Sequence, residues 1–201
     1  MTTVAGLRER KKQKTKAAIQ RAALRLFKRQ GYEETTIEQI AAAAEISEST
    51  FFNYFREKED VVIYDEYDPQ IFETLAHGPH DEPLRKSIEK LLDTLASVFE
   101  ADHDAIYERA KLSLEVPELR AHAWEELEKA RDLISSIIAS RTGRDASELD
   151  VRVVSMAFVG AAFEASIEWV KAGGKGNIVD HLRMAIEAIG FYSMVERLQS
   201  V

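Results

Sequence analysis

The chain of 201 residues contains no cysteine. Disulfides, thiolate metal ligands and cysteine nucleophiles are therefore excluded. Four prolines and nine glycines are few for this length, so the chain has few places to break a helix. Strand signals are nearly absent, because no stretch alternates apolar and polar residues for long. Long hydrophobic runs are missing too. The longest uncharged apolar run, Val153 to Phe163, is eleven residues, whereas a membrane-spanning helix needs about 20. The start of the sequence is charged and lacks the apolar stretch of a signal peptide. The expectation is a cytoplasmic protein with no membrane partner.

What the sequence does have is charge, unevenly placed. Residues 1–30 hold ten Lys+Arg and one acid, a net +9. Residues 31–60 sum to −6 and the remaining 141 residues to −11. A basic stretch on an acidic body fits a polyanionic partner at one end only; a merely solvated basic segment gives the same counts.

Helix-period patterns fill the rest. Ile19, Ala22, Ala23, Leu26 and Phe27 follow the i, i+3, i+4, i+7, i+8 spacing of one helix face over residues 8–30, with Gly31 as a stop. Thr36 with Gln39 three residues on reads as a capping box, so a helix starts at 37. Ser47 offers a second N-cap for a short helix over 48–54. A longer helix is expected from Lys58, with Pro69 as a kink. The stretch "HGPHDEP", 77–83, is the clearest break. Further helices are expected over 83–101, 102–116, 117–143, 147–172 (Ser147 and Asp150 as its cap) and 177–197. The count is about nine, and the class is all-α.

Three short helices within the first 55 residues form the helix-turn-helix arrangement. The third must be short and polar on one face to enter a major groove. "STFFNYFREKED", 49–60, meets that need. Phe51 and Phe55 lie four apart and suit a core with Ile40 and Leu26. Ser49, Thr50, Asn53 and Tyr54 are left to project outward, where hydroxyls and an amide can meet bases and phosphates. Glu48 can accept from a cytosine amino group. Lys58 and the N–H groups opening its helix can meet phosphate. Thr36 and Ser47, at the two helix starts, complete the expected DNA-binding set.

These residues resemble the TetR family of bacterial transcriptional regulators. The match is carried by "TTIEQIAAAAEISESTFFNYFREKEDVV", preceded by a basic helix ending in "LFKRQGY". It covers residues 14–62 and is specific; beyond them the likeness is one of helical content and length. The resemblance implies a DNA-binding domain over 1–57 and an effector-binding and dimerisation domain over 58–201, a palindromic operator, a homodimer and a small-molecule effector. Two positions depart from the family pattern. Glu45 stands where glycine is usual in the turn, and Phe52 replaces a tyrosine that typically touches phosphate.

The remaining chain offers little catalytic chemistry. Glu100 and His103 make one E-x-x-H pair, where a di-iron bundle needs two. His77 and His80 sit in the Pro/Gly break. No H-E-x-x-H, G-x-S-x-G or phosphate-binding glycine loop occurs, so neither an enzyme nor a metal or other cofactor is expected. Ser155, Ala157, Gly160, Ala161 and Ala165, with Ala185, Ala188 and Gly190 later, are small enough to let another helix approach. That fits either an internal helix pair or the last-two-helix dimer interface that the resemblance implies. Phe72, Phe99, Tyr107, Trp124, Phe158, Phe163 and Trp169 suit a core. The resemblance makes Phe72, Phe99, His103, Tyr107, Arg109, Trp124, Phe158 and Phe163 candidates for an effector cavity, with Arg109 or His103 meeting a polar head group. The expected function is a repressor released by a hydrophobic or amphipathic effector. The rivals are a DNA-binding protein without an effector and a helical enzyme bearing a basic segment.

Overall fold

The structure is a computed structural model and describes residues 4–64 and 82–199. Those residues form ten helices and no strand. They divide into two compact units, Met1–Glu66 with Glu108–Ala121, and Tyr67–Tyr107 with His122–Val201.

The first unit is built on α1 (Val4–Gln30), α2 (Ile37–Ala43), α3 (Glu48–Phe52) and α4 (Lys58–Ile63). Gly31, at φ +91°, ends α1 as the spacing predicts, and its N–H bonds the Phe27 carbonyl at 2.9 Å. The capping box at α2 is present in full. Thr36 Oγ1 accepts from the Gln39 N–H, and Gln39 Oε1 accepts from the Thr36 N–H. Ile19, Leu26, Phe27, Ile40, Phe51, Phe55, Val61 and Val62 are buried. Each side chain so removed from water contributes about 1.5–3 kcal/mol. Gln20 is buried too, and its amide donates to the Val61 and Tyr64 carbonyls at 2.8 and 2.7 Å. These are carbonyls at the end of α4, which have no partner within that helix.

Where a long helix is expected from Lys58, α4 stops at Ile63, and Tyr64 leaves helical geometry with ψ at 121°. Pro69 and the break at 77–81 lie outside the described residues.

The second unit contains α5 (Leu84–Ala101), most of α7 (Pro117–Thr142), α8 (Leu149–Lys171), α9 (Ile178–Ala188) and α10 (Phe191–Gln199). Between α5 and α7 lies α6 (His103–Glu115), whose first five residues belong to this unit and whose remainder belongs to the first. The core joins Leu84, Ile88, Leu92 and Leu95 of α5 to Ile137 and Ile138 of α7, Val151 and Val154 of α8, Ile186 of α9 and Phe191 of α10.

Two expectations need correction here. The single terminal helix is two, because Gly190 at φ +64° ends α9 and α10 restarts at Phe191. Ser147 and Asp150 do not cap α8. Asp145 accepts from the backbone and hydroxyl of Ser147 at 2.7 Å, and Glu148 accepts from the Asp145 N–H at 2.8 Å. The sequence "DASE" closes its own turn one step earlier, and Glu148 takes the N-cap position without a side-chain bond to the N–H groups of α8.

Candidate nucleic-acid interface

The turn between α2 and α3 is a Schellman motif. The Ile46 N–H bonds the Ala41 carbonyl at 2.9 Å and the Glu45 N–H bonds Ala42 at 3.1 Å. That geometry needs a left-handed residue, and Glu45 supplies it at φ +56°. It is the one non-glycine residue with positive φ among those described. A conformation that glycine adopts without steric cost is thus carried by a residue with a Cβ, at about 1–2 kcal/mol.

Beyond the turn, Ser47 caps α3 by accepting the Thr50 N–H at 3.1 Å. Phe51 and Phe55 face inward, fully buried. Ser47, Glu48, Ser49, Phe52 and Asn53 are exposed, and Thr50 and Tyr54 are half-buried. The four aromatics are thus split between core and surface. Three hydroxyls form a compact group: Ser47 Oγ lies 2.8 Å from both Ser49 Oγ and Thr50 Oγ1. Two internal bonds use two of their three protons, which leaves one to donate outward. Asn53 is the C-cap of α3, and its side-chain amide makes no hydrogen bond among the described residues. Thr36 is exposed, with its hydroxyl oxygen engaged at Gln39.

Lys58 is used differently from the expectation. Its ammonium donates to the Tyr32 carbonyl at 2.8 Å and sits 4.1 Å from the Tyr32 ring centroid. It ties α4 to the end of α1. The first turn of α4 carries Glu59 and Asp60, and the Asp60 carboxylate accepts the Arg56 N–H at 2.8 Å. Both features disfavour a phosphate at that helix start.

The expected effector residues that the structure describes are divided between the two units. Phe99 and Phe158 are half-buried against the second unit's core, with Phe158 5.1 Å from Phe191. Phe163 is half-buried on α8. His103 and Tyr107 belong instead to an aromatic clamp with Trp169. Their rings meet Trp169 edge-on at 5.4 and 5.5 Å. His103 Nε2 is 2.7 Å from the Gly174 carbonyl, and Trp169 Nε1 donates to Gly176 at 3.0 Å. A Cβ on Gly174 would lie 2.6 Å from the Tyr107 ring. The clamp fastens the α8–α9 connection. The Gly174 carbonyl and then the Asp104 carboxylate favour the protonated ring and raise the His103 pKa above its usual value.

Arg109 lies in the first unit and donates to the Tyr64 carbonyl at 3.0 Å. Trp124 is 62% exposed on α7, so it lines no core. Its neighbours four residues either way on α7, Arg120 and Glu128, are charged, and apolarity alone misplaced it. Phe72, His77 and His80 lie outside the described residues. Among those described, no group of three or more His, Asp or Glu side chains could hold a metal. In the first unit an open cleft of about 610 Å³ is lined by Phe27, Tyr32, Leu112 and Val116 with charged residues at its rim.

Sequence reasoning overlooked one pattern. Leu149, Val153, Met156, Gly160, Phe163 and Ile167 follow strict four-three spacing on the side of α8 turned away from Val151, Val154, Ala161, Ala165 and Trp169. Leu149 and Val153 are 78% and 56% exposed, and nothing lies within 4 Å of where a Gly160 Cβ would sit. The small residues therefore serve two sides. Ser155, Ala161 and Ala165 are buried inside the unit, whereas Gly160 is open. By length and composition α8 would also pass as a membrane-crossing helix, but its apolar character is divided between a buried side and this seam.

Known proteins agree with this geometry. Residues 19–64 match the family model of bacterial regulatory proteins of the tetR family, and residues 82–190 match the MftR C-terminal domain. The HTH-type transcriptional regulator TcmR of Streptomyces glaucescens is 31% identical over 82% of this chain and 76% of its own length. The fatty acid metabolism regulator protein of Bacillus subtilis is 26% identical over 79% of this chain and 84% of its own. Among solved structures, the fatty acid degradation regulator FadR of Bacillus halodurans superposes with a TM-score of 0.60 at 21% identity, covering 90% of this chain and 94% of its own. FadR of Bacillus subtilis, in complex with stearoyl-CoA, gives 0.58 at 22% identity, covering 85% and 95%. The chain, with its helix-turn-helix unit and helical C-terminal domain, belongs to the TetR family of bacterial transcriptional regulators.

Proposed function

We propose that the protein is a cytoplasmic homodimeric repressor that binds a palindromic operator through α3 and releases it when an amphipathic effector binds residues 58–201. The observation that carries the reading is the surface of α3. Ser49, Asn53 and the hydroxyl group around Ser47 are exposed, and their polar capacity is only partly used. Such groups read base edges, while Thr36, Tyr54 and basic side chains hold phosphates. The apolar seam of α8, continued by Met184 of α9 (60% exposed), fits an isologous contact with a second copy. Two α3 helices then read half-sites one helical turn apart, about 34–36 Å.

For the effector, the stearoyl-CoA held by FadR of Bacillus subtilis suggests a chemical class: a long apolar chain with an anionic head. An effector acts only through different affinities for the DNA-competent and incompetent states. The helix α6, shared by both units, is a continuous element through which such a difference can pass. The test is operator selection from a random duplex pool, followed by titration of the complex with acyl-CoA of graded chain length. Release at a concentration that depends on chain length supports the reading. Selection of no sequence would defeat it.

One observation favours a regulator without an effector. His103, Tyr107 and Trp169 are engaged with the α8–α9 connection, and Trp124 is on the surface. Operator affinity unchanged by every acyl-CoA, with sequence choice intact, would favour that second reading.

A further inference from the structure

The family model for the DNA-binding region begins at residue 19, yet α1 begins at Val4. The extra length is peculiar in its packing. Ala17 is the first buried residue of α1 among the side chains described, and Arg8 and residues 11–16 before it lie outside the core, so residues 4–16 form a helical extension of about 20 Å. Arg8, Lys11, Lys12 and Lys14 on it are exposed, and none of their side chains makes an ion pair or hydrogen bond with the described residues. A helix carries partial positive charge at its start, and the first turn of α1 holds no acid to offset it. Arg8–Lys12 and Lys12–Lys16 are like-charged pairs at i, i+4, which oppose the helix they sit on. With Glu9 as its one acid, the segment from 4 to 16 carries six Lys+Arg and a net charge of +5, an excess that calls for an external anion.

Direction follows from Lys16. Its ammonium lies 5.3 Å from the Phe55 ring centroid and 4.5 Å from that of Tyr64. Phe55 follows α3 by three residues, directly after Asn53 and Tyr54. Arg8, Lys12 and Lys16 are spaced i, i+4, i+8 and share one side of α1. Lys16 closes over the Phe55 ring, three residues past α3; Lys12 and Arg8 continue that row one and two turns further along α1.

We propose that residues 4–16 are an arm that grips the phosphate backbone of duplex DNA flanking the bases read by α3, with Arg8 and Lys12 as principal contacts. This rests on the DNA-reading role of α3 and extends the contact beyond it. The arm carries no sequence choice. Its cations meet phosphates, which are the same at every step.

The test compares wild-type protein with Arg8→Gln/Lys12→Gln on a random-sequence 30-bp duplex and on the selected operator, over a series of KCl concentrations. Each phosphate contact contributes about 0.9 to the slope of log K against log[salt]. The double variant should lower that slope by roughly 2 per bound protomer, equally on both duplexes, and leave the ratio of the two affinities unchanged. Arg8→Lys/Lys12→Arg should keep the wild-type slope, and Lys175→Gln, an exposed cation of the α8–α9 connection, should not alter it. A double-variant slope within about 0.5 of wild type would overturn the proposal, as would a loss confined to the selected operator. Wild-type protein that prefers no sequence would instead sink the role given to α3, so the two failures are separable.

Discussion

Replacing Glu45 by glycine should stabilise the protein. Glu45 is held at φ +56° by the two hydrogen bonds of the Schellman turn. Holding a side chain there costs about 1–2 kcal/mol, because Cβ crowds the following carbonyl. Glycine has no Cβ and escapes that cost. It loses more backbone freedom on folding, which returns roughly 0.4–1 kcal/mol. The side chain is exposed, so no burial is lost. The net expectation is a gain of about 0.5–1 kcal/mol, which for a chain of this length raises Tm by roughly 1–4 °C. Thermal unfolding of the full chain, followed by circular dichroism, measures it. Glu45→Ala is the control, since it removes the charge but keeps Cβ and should gain nothing. Asn tolerates the left-handed region better than other residues with a Cβ, so Glu45→Asn should fall between the two. Operator affinity should stay within about two-fold, because the turn already has its final geometry. Equal melting of the Gly and Ala variants, or a lower Tm for Gly, would refute the strain argument.

Asn53→Ala should cost about 1–3 kcal/mol on the selected operator and much less on random duplex, as read by anisotropy titration. Val153→Glu should yield monomers by light scattering and weak operator binding; Ala161 is the wrong probe, since it is buried within the unit and a charge there would unfold it. Gly174→Ala should destabilise by about 2 kcal/mol or more, from left-handed strain at φ +72° together with the clash against Tyr107, and a melt shifted by less than a degree would contradict it. His103 has a raised folded pKa, so its contribution is complete below the unfolded value and is lost as pH rises through the folded one. The Tm difference between wild type and His103→Gln should therefore be largest in acid and shrink toward alkaline pH; a constant difference would remove the linkage.

The first unit was readable because its signals are local. A capping box, a glycine stop and a serine cap each act within four residues, and all appear where the spacing places them. Phe51 and Phe55 were separable from Phe52 because four-residue spacing decides which share a side. The bond from Lys58 to the Tyr32 carbonyl was not legible, because that partner is distant in sequence and carries no side-chain signature. The same limit governs the second unit. Hydrophobicity marked Trp124 and Phe158 alike, although one is exposed and the other packs on Phe191. Nothing local distinguishes the two sides of a helix when both are apolar. On α8 the distinction lies in strict four-three spacing, which a search for small residues passes over. The split at Gly190 was masked because Ile189 and Phe191 continue an apolar run through it.

The hydroxyl group around Ser47 bears on how an operator for this protein can drift. A hydroxyl turns freely and either gives or takes a proton. Ser47, Ser49 and Thr50 hold one spare proton between them, and any of several rotor settings can place it. Where α3 reads bases as proposed, a base offering an acceptor and a base offering a donor would both be accommodated beneath them. Asn53, with a planar amide of fixed polarity, has no such latitude. Aligned natural sites should therefore be nearly invariant under Asn53 and carry little information under the hydroxyls. Mutations in the tolerant positions would pass unnoticed by the regulator, so related promoters can diverge there while remaining under one control.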